Sequence, residues 1–130
     1  MSRRRGYVVL PLLLIAAGVA WLVLGGPAPG PAELHGRGTR HAVTVRLEPR
    51  PGLLEARVEI HPAAPAEVSV FAVMPHMGHT TPEIAARGDG PGRYVARGEL
   101  FTMTGVWEIG VRVRDTSGTE VIKVTTLVGE

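Results

Sequence analysis

No cysteine occurs among the 130 residues. That excludes a disulfide staple, a thiol nucleophile and the lipid-bearing thiol of a lipoprotein, so any folded domain is held by its core alone. Serine is nearly as scarce. Ser2, Ser69 and Ser117 are the only three, and none stands in a Ser/His/Asp or glycine-rich phosphate pattern. An enzyme is therefore the weakest of the function classes. A basic patch is missing as well: of fourteen Lys and Arg, three are Arg3, Arg4 and Arg5, which leaves eleven against twelve Asp and Glu. The rest of the chain is close to neutral, and nothing in it points to nucleic acid. No internal repeat occurs, and beyond Thr39 no stretch has the 3.6-residue period of a helix.

What is present begins with an apolar run. Tyr7 to Leu24 carries no charge and is preceded by Arg3, Arg4, Arg5 and Gly6. At 1.5 Å per residue it reaches roughly 27 Å, close to the hydrocarbon thickness of a bilayer. Residues 1–6 then form a basic cytoplasmic tail, 7–24 a single transmembrane anchor, and all that follows is extracytoplasmic by the positive-inside bias. A cleaved signal sequence is the alternative, with Gly30-Pro31-Ala32 as a cut site. The length of the run and prolines at 27, 29 and 31 favour the anchor. Residues 25–39, rich in Gly, Pro and Ala, read as a semi-rigid tether.

From about residue 40 to 130 apolar residues alternate with polar ones, the signature of half-buried strands. The alternation predicts strands over 43–47, 54–60, 67–74, 83–87, 94–99, 106–114 and 120–128. Turn chemistry at Pro49 to Gly52, Gly88 to Gly92 and Thr116 to Gly118 separates several of them. About seven short strands in ninety residues predict an all-β, small antiparallel sandwich of immunoglobulin-like type. Val58, Ile60, Val70, Trp107, Ile109 and Ile122 are its expected core, with Trp107 as anchor.

The chemistry concentrates in Met74-Pro75-His76-Met77-Gly78-His79. Two of the three methionines beyond the initiator and two of the five histidines fall within six residues, and the third methionine, Met103, precedes a strand. Thioether sulfur is a soft ligand and imidazole a borderline one. Such a set without thiolate or carboxylate suits copper, Cu(I) above all, rather than zinc, calcium or magnesium. The candidate metal ligands are Met74, Met77, His79 and Met103, with His76 as a further one. The competing reading makes Met74 and Met103 gap-filling core residues and the histidines ordinary loop residues. His35, His41 and His61 are scattered, and Glu83 reads as a solvated charge rather than an oxygen ligand.

Three separated motifs, Met74 to His79, Pro91-Gly92-Arg93-Tyr94 and Met103-Thr104-Gly105-Val106-Trp107-Glu108-Ile109-Gly110-Val111, resemble in their order the YtkA-like family of small extracytoplasmic domains, which is close to the FixH-like membrane proteins. The resemblance spans about residues 40–128. It implies a membrane-tethered immunoglobulin-like sandwich linked to copper handling or to assembly of copper enzymes, with Met74, Met77, His79 and Met103 in the motif positions and His76 in a variable one. Further FixH-like signatures around a longer membrane region are absent from the sequence. The expected function is a membrane-anchored periplasmic or outer-face Cu(I) carrier, a metallochaperone passing copper to an acceptor or a membrane complex. The alternative is a structural or interaction domain that binds no metal.

Overall fold

The structure is a computed structural model that describes residues 31–130. The basic tail, the apolar run 7–24 and residues 25–30 of the tether lie outside the described residues. Among those described, no helix is long and apolar enough to cross a membrane.

Alternation decides the architecture. Among the described residues ten strands form, β1 (Ala32–Arg37), β2 (Ala42–Leu47), β3 (Gly52–His61), β4 (Glu67–Met74), β5 (His79–Thr80), β6 (Ile84–Ala85), β7 (Arg87–Gly88), β8 (Arg93–Phe101), β9 (Gly105–Asp115) and β10 (Gly118–Val128). One antiparallel sheet runs β1-β2-β3-β8-β7; the other runs β10-β9-β4-β5, with β6 also paired to β4. Residues of one parity along each long strand face the other sheet. Val58, Ile60, Val70, Trp107, Ile109 and Ile122 are all buried, as their alternation predicts, and Phe101 meets the Trp107 ring at 5.6 Å between centroids. Full burial of such side chains stabilises by about 1.5–3 kcal/mol each, which lets a cysteine-free domain of this size hold together.

Two features depart from the sequence reading. The sandwich starts at Ala32, inside the segment whose composition suggests a tether. β1 pairs along its whole length with β2, with Ala32, Leu34 and Gly36 half-buried and the residues between them exposed. Small residues conceal this alternation, yet smallness is what the position needs: a Cβ on Gly36 would lie 2.7 Å from Cγ1 of Val124. His35 is accordingly a strand residue, its Nδ1 3.2 Å from Thr44 Oγ1. The second departure is at 83–87, expected as one strand. It divides into β6 on one sheet and β7 on the other, and the crossing residue, Ala86, donates its N–H to the Val68 carbonyl at 2.9 Å.

Register fixes which loops share an end. Ala32 opposes Leu47, Gly52 opposes Phe101, Gly105 opposes Val128 and Met74 opposes His79. The start of β1, the turn at Pro49, the Met/His segment, the 102–104 loop and the end of β10 therefore lie at one end of the sandwich. At the other end His41, far from being a surface histidine, is 5% exposed. Its Nδ1 lies 3.1 Å from Glu120 Oε2 and its Nε2 3.3 Å from Asp115 Oδ2. Glu120 also accepts the N–H groups of Thr39 and Arg40, and Arg40 pairs with Asp115 at 3.1 Å. This clamp ties the β1–β2 turn to the β9–β10 hairpin. Burial pushes the Glu120 carboxyl up, but the hydrogen bonds from Arg40, His41 and Thr39 outweigh it and hold the group below its ordinary range.

Candidate functional site

Pro75 ends β4 because it has no N–H for the ladder, and the chain then makes one 3₁₀ turn, Pro75–Met77. Gly78 closes that turn in the left-handed region, φ 60°, and donates its N–H to the Pro75 carbonyl. Glycine adopts this conformation without steric cost. The reversal brings β5 back against β4, so that His79 pairs with Met74 and Thr80 with Val73. Thr81 secures the return. It is buried, its N–H donates to the Ala72 carbonyl at 2.9 Å, and its Oγ1 accepts the Ala72 N–H at 3.0 Å. A buried hydroxyl here replaces a ladder partner that the short strand does not supply.

Trp107 joins the two methionine-bearing segments. Its indole is fully buried and lies nearly perpendicular to the His79 ring at 6.1 Å between centroids, and its Nε1 donates to the Met103 carbonyl at 2.9 Å. That bond curls residues 102–104 over the indole, so Met103 stands in a loop and the strand begins only at Gly105. Gly105 has φ 133°, and the Met74 methyl lies 2.9 Å from where a Cβ on it would be. Met74 thus fills the room that a glycine leaves between Met103 and Trp107.

The structure accordingly brings Met74, His79 and the Met103 segment together around one indole. Exposure separates the donors: Met74 is 5% exposed, Met103 38% and Met77 65%. His76 and His79 are exposed too, and Met77 and His76 stand on the 3₁₀ turn, which packs against β9. Met74 therefore serves the core as well as the rim. The competing reading of the methionines as gap-fillers holds for it in part.

Glu83, the nearest following carboxylate, is engaged elsewhere. It accepts from Ser69 Oγ and from Arg112 Nε at 2.7 Å on the outer face of the β4 sheet. Those two bonds, the one from Ser69 first, hold its carboxyl below the ordinary range against a smaller effect of burial. Among the described residues no three or more His, Asp and Glu are grouped to hold a metal ion. Any metal at this end would therefore rest on the methionine sulfurs together with imidazole, an uncharged set that matches a soft monovalent ion better than a hard divalent one.

Sequence reasoning gives Trp107 its core role but not its second task. The only sign of that task is the Met-x-Gly-x-Trp spacing, which sets the indole nitrogen within reach of a carbonyl four residues back. No family model, curated protein or solved structure matches this chain.

Proposed function

We propose that this chain is a membrane-anchored, extracytoplasmic copper-binding module that carries Cu(I) and passes it to an acceptor, with no catalytic step of its own. Residues 7–24 are its anchor, and the sandwich, immunoglobulin-like in type, is its metal-carrying domain. The observation that carries the reading is the meeting of Met74, His79 and the Met103 segment at Trp107, with Met77 and His76 exposed beside them. Exposed thioethers are weak, adaptable ligands that cannot be lost to disulfides in an oxidising compartment, which fits a site that must release its cargo. The order of the three motifs and their resemblance to YtkA-like domains supports the same assignment.

The burial of Met74 favours a second reading, in which the segment only plugs the end of the sandwich and binds no metal. Cu(I) titration of the protein against a competing chelator separates the two. One equivalent should bind, zinc should compete poorly, and Met77→Ala combined with His79→Ala should abolish binding while leaving the far-ultraviolet dichroism unchanged, because both side chains are exposed. Undiminished Cu(I) affinity in that folded double variant would leave the plug as the sole role of the segment.

A further inference from the structure

Large apolar side chains that remain exposed are gathered at one end of the sandwich. Among the described residues, Leu53, Leu127, Met77, Val106 and Met103 lie at the Met/His end, and Val121 alone stands toward the other. They are distributed over both sheets. Leu53 is on the outer face of the β3 sheet, since its neighbour Leu54 is buried; Val106 and Leu127 are cross-strand partners on the outer face of the β9 sheet; the methionines are at the tip. A protein laid against one sheet would account for one face. A plane crossing the strands near their ends reaches both faces and the tip at once.

Two further observations identify that plane. The loops 48–51, 75–80 and 102–104 contain one carboxylate and one guanidinium, Glu48 and Arg50, paired at 3.3 Å, besides the imidazoles of His76 and His79; exposed Glu99, opposite Leu53, and Glu130 are the further acids near this end. The chain also enters the sandwich at this end, where Ala32 pairs with Leu47. From Leu24, where the apolar run stops, to Ala32 is eight peptide units, which span at most roughly 29 Å when fully extended. The end that exposes its apolar side chains is the end at which the chain enters the sandwich.

We propose that the Met/His end of the sandwich rests on the lipid bilayer, with the exposed leucines, Val106 and the methionines in the headgroup layer and the strands near the membrane normal. This rests on the reading of residues 7–24 as an anchor. The gain comes from removing apolar surface from water, not from charge, so zwitterionic lipid suffices. Copper exchange would then take place at the lipid–water boundary, with a partner whose ligands are presented at that depth.

Because the chain has no cysteine, a single introduced one gives a unique spin-label position. The full chain is reconstituted in phosphatidylcholine nanodiscs carrying Leu53→Cys, Leu127→Cys or Val121→Cys, all at exposed positions. Collision of the label with oxygen, which partitions into lipid, is compared with collision with a water-soluble nickel chelate. Labels at 53 and 127 should favour oxygen and the label at 121 should favour nickel. Nickel-favouring labels at 53 and 127 in chains that have entered the discs would overturn the bilayer contact and leave the anchor standing. Labels there shielded from both reagents would overturn it in favour of a protein cover, whether a second copy or residues 1–30. Failure of the chain to enter discs at all would remove the anchor and the contact together.

Discussion

Replacing Trp107 tests the core and the candidate site with one residue. Its side chain is wholly buried, lies against Phe101 and is the donor that holds the Met103 loop. Trp107→Ala removes the whole ring from a position where no surrounding strand can close the gap, and the cost for a buried aromatic of this size is about 3–5 kcal/mol. Domains of this size have about 5–15 kcal/mol in total, so the variant should lose a large share of its stability. Trp107→Phe is the finer perturbation. It keeps an aromatic ring in the core but removes the N–H, so the Met103 carbonyl must turn to water. A net hydrogen bond of about 0.5–1.5 kcal/mol and a small residual cavity together predict a loss of about 2 kcal/mol.

Urea unfolding followed by far-ultraviolet dichroism measures both, since the substitutions leave only Trp21, outside the sandwich sequence, as a tryptophan fluorophore. With a urea slope of about 1–1.5 kcal/mol per molar for so small a domain, Trp107→Ala should lower the midpoint by on the order of 2–5 M. Cu(I) titration of the folded Trp107→Phe variant adds the link to the site, where a freed Met103 loop should weaken affinity. A stability change under about 1 kcal/mol for Trp107→Ala would place the indole outside the core and shift the β9 register by one residue. Unchanged Cu(I) affinity in Trp107→Phe would refute the claim that the indole positions Met103.

Thr81→Val keeps the shape of a buried side chain but leaves the Ala72 N–H without its hydroxyl acceptor; it should cost about 1–3 kcal/mol in the same urea assay. The carboxyls of Glu120 and Glu83 are both held below their ordinary value of 4.5 in the folded protein. Each therefore contributes stability that is fully present above that value and is lost as pH falls through the lower folded value. Unfolding free energy should be flat with respect to these two groups above pH 4.5 and decline below it, and Glu120→Gln should make the decline shallower when stability is followed from neutral to acid pH.

Much of the sandwich is legible in the sequence because a period of two is a local signal. Val58, Ile60, Ile109 and Ile122 each reveal their side of the sheet through their immediate neighbours, whatever the rest of the chain does. What depends on distant partners is not legible. The burial of His41 follows from Asp115 and Glu120, more than seventy positions away, and no local pattern marks it. The division of 83–87 between two sheets follows from where β4 and β8 already lie. In the candidate site, the residue types of Met74, Met77, His79 and Met103 are plain in the sequence, whereas their meeting depends on one indole and on the return of the chain at Thr81.

The strand hidden in the supposed tether has the largest consequence. Strands alternate in direction, so each one added at the start of an antiparallel sandwich moves the point of entry to the opposite end. Had the domain begun near residue 40, the chain would have entered at the start of β2, beside the His41 clamp and at the far end from the Met/His segment. β1 reverses this. Its pairing with β2, from Ala32 against Leu47 to Arg37 against Ala42, returns the entry point to the methionines. That strand depends on Gly36, where any side chain would strike Val124 and Ile122. A glycine that helps residues 25–39 look like a linker is thus one that admits β1 to the sheet, and with it sets the end at which the chain enters the sandwich.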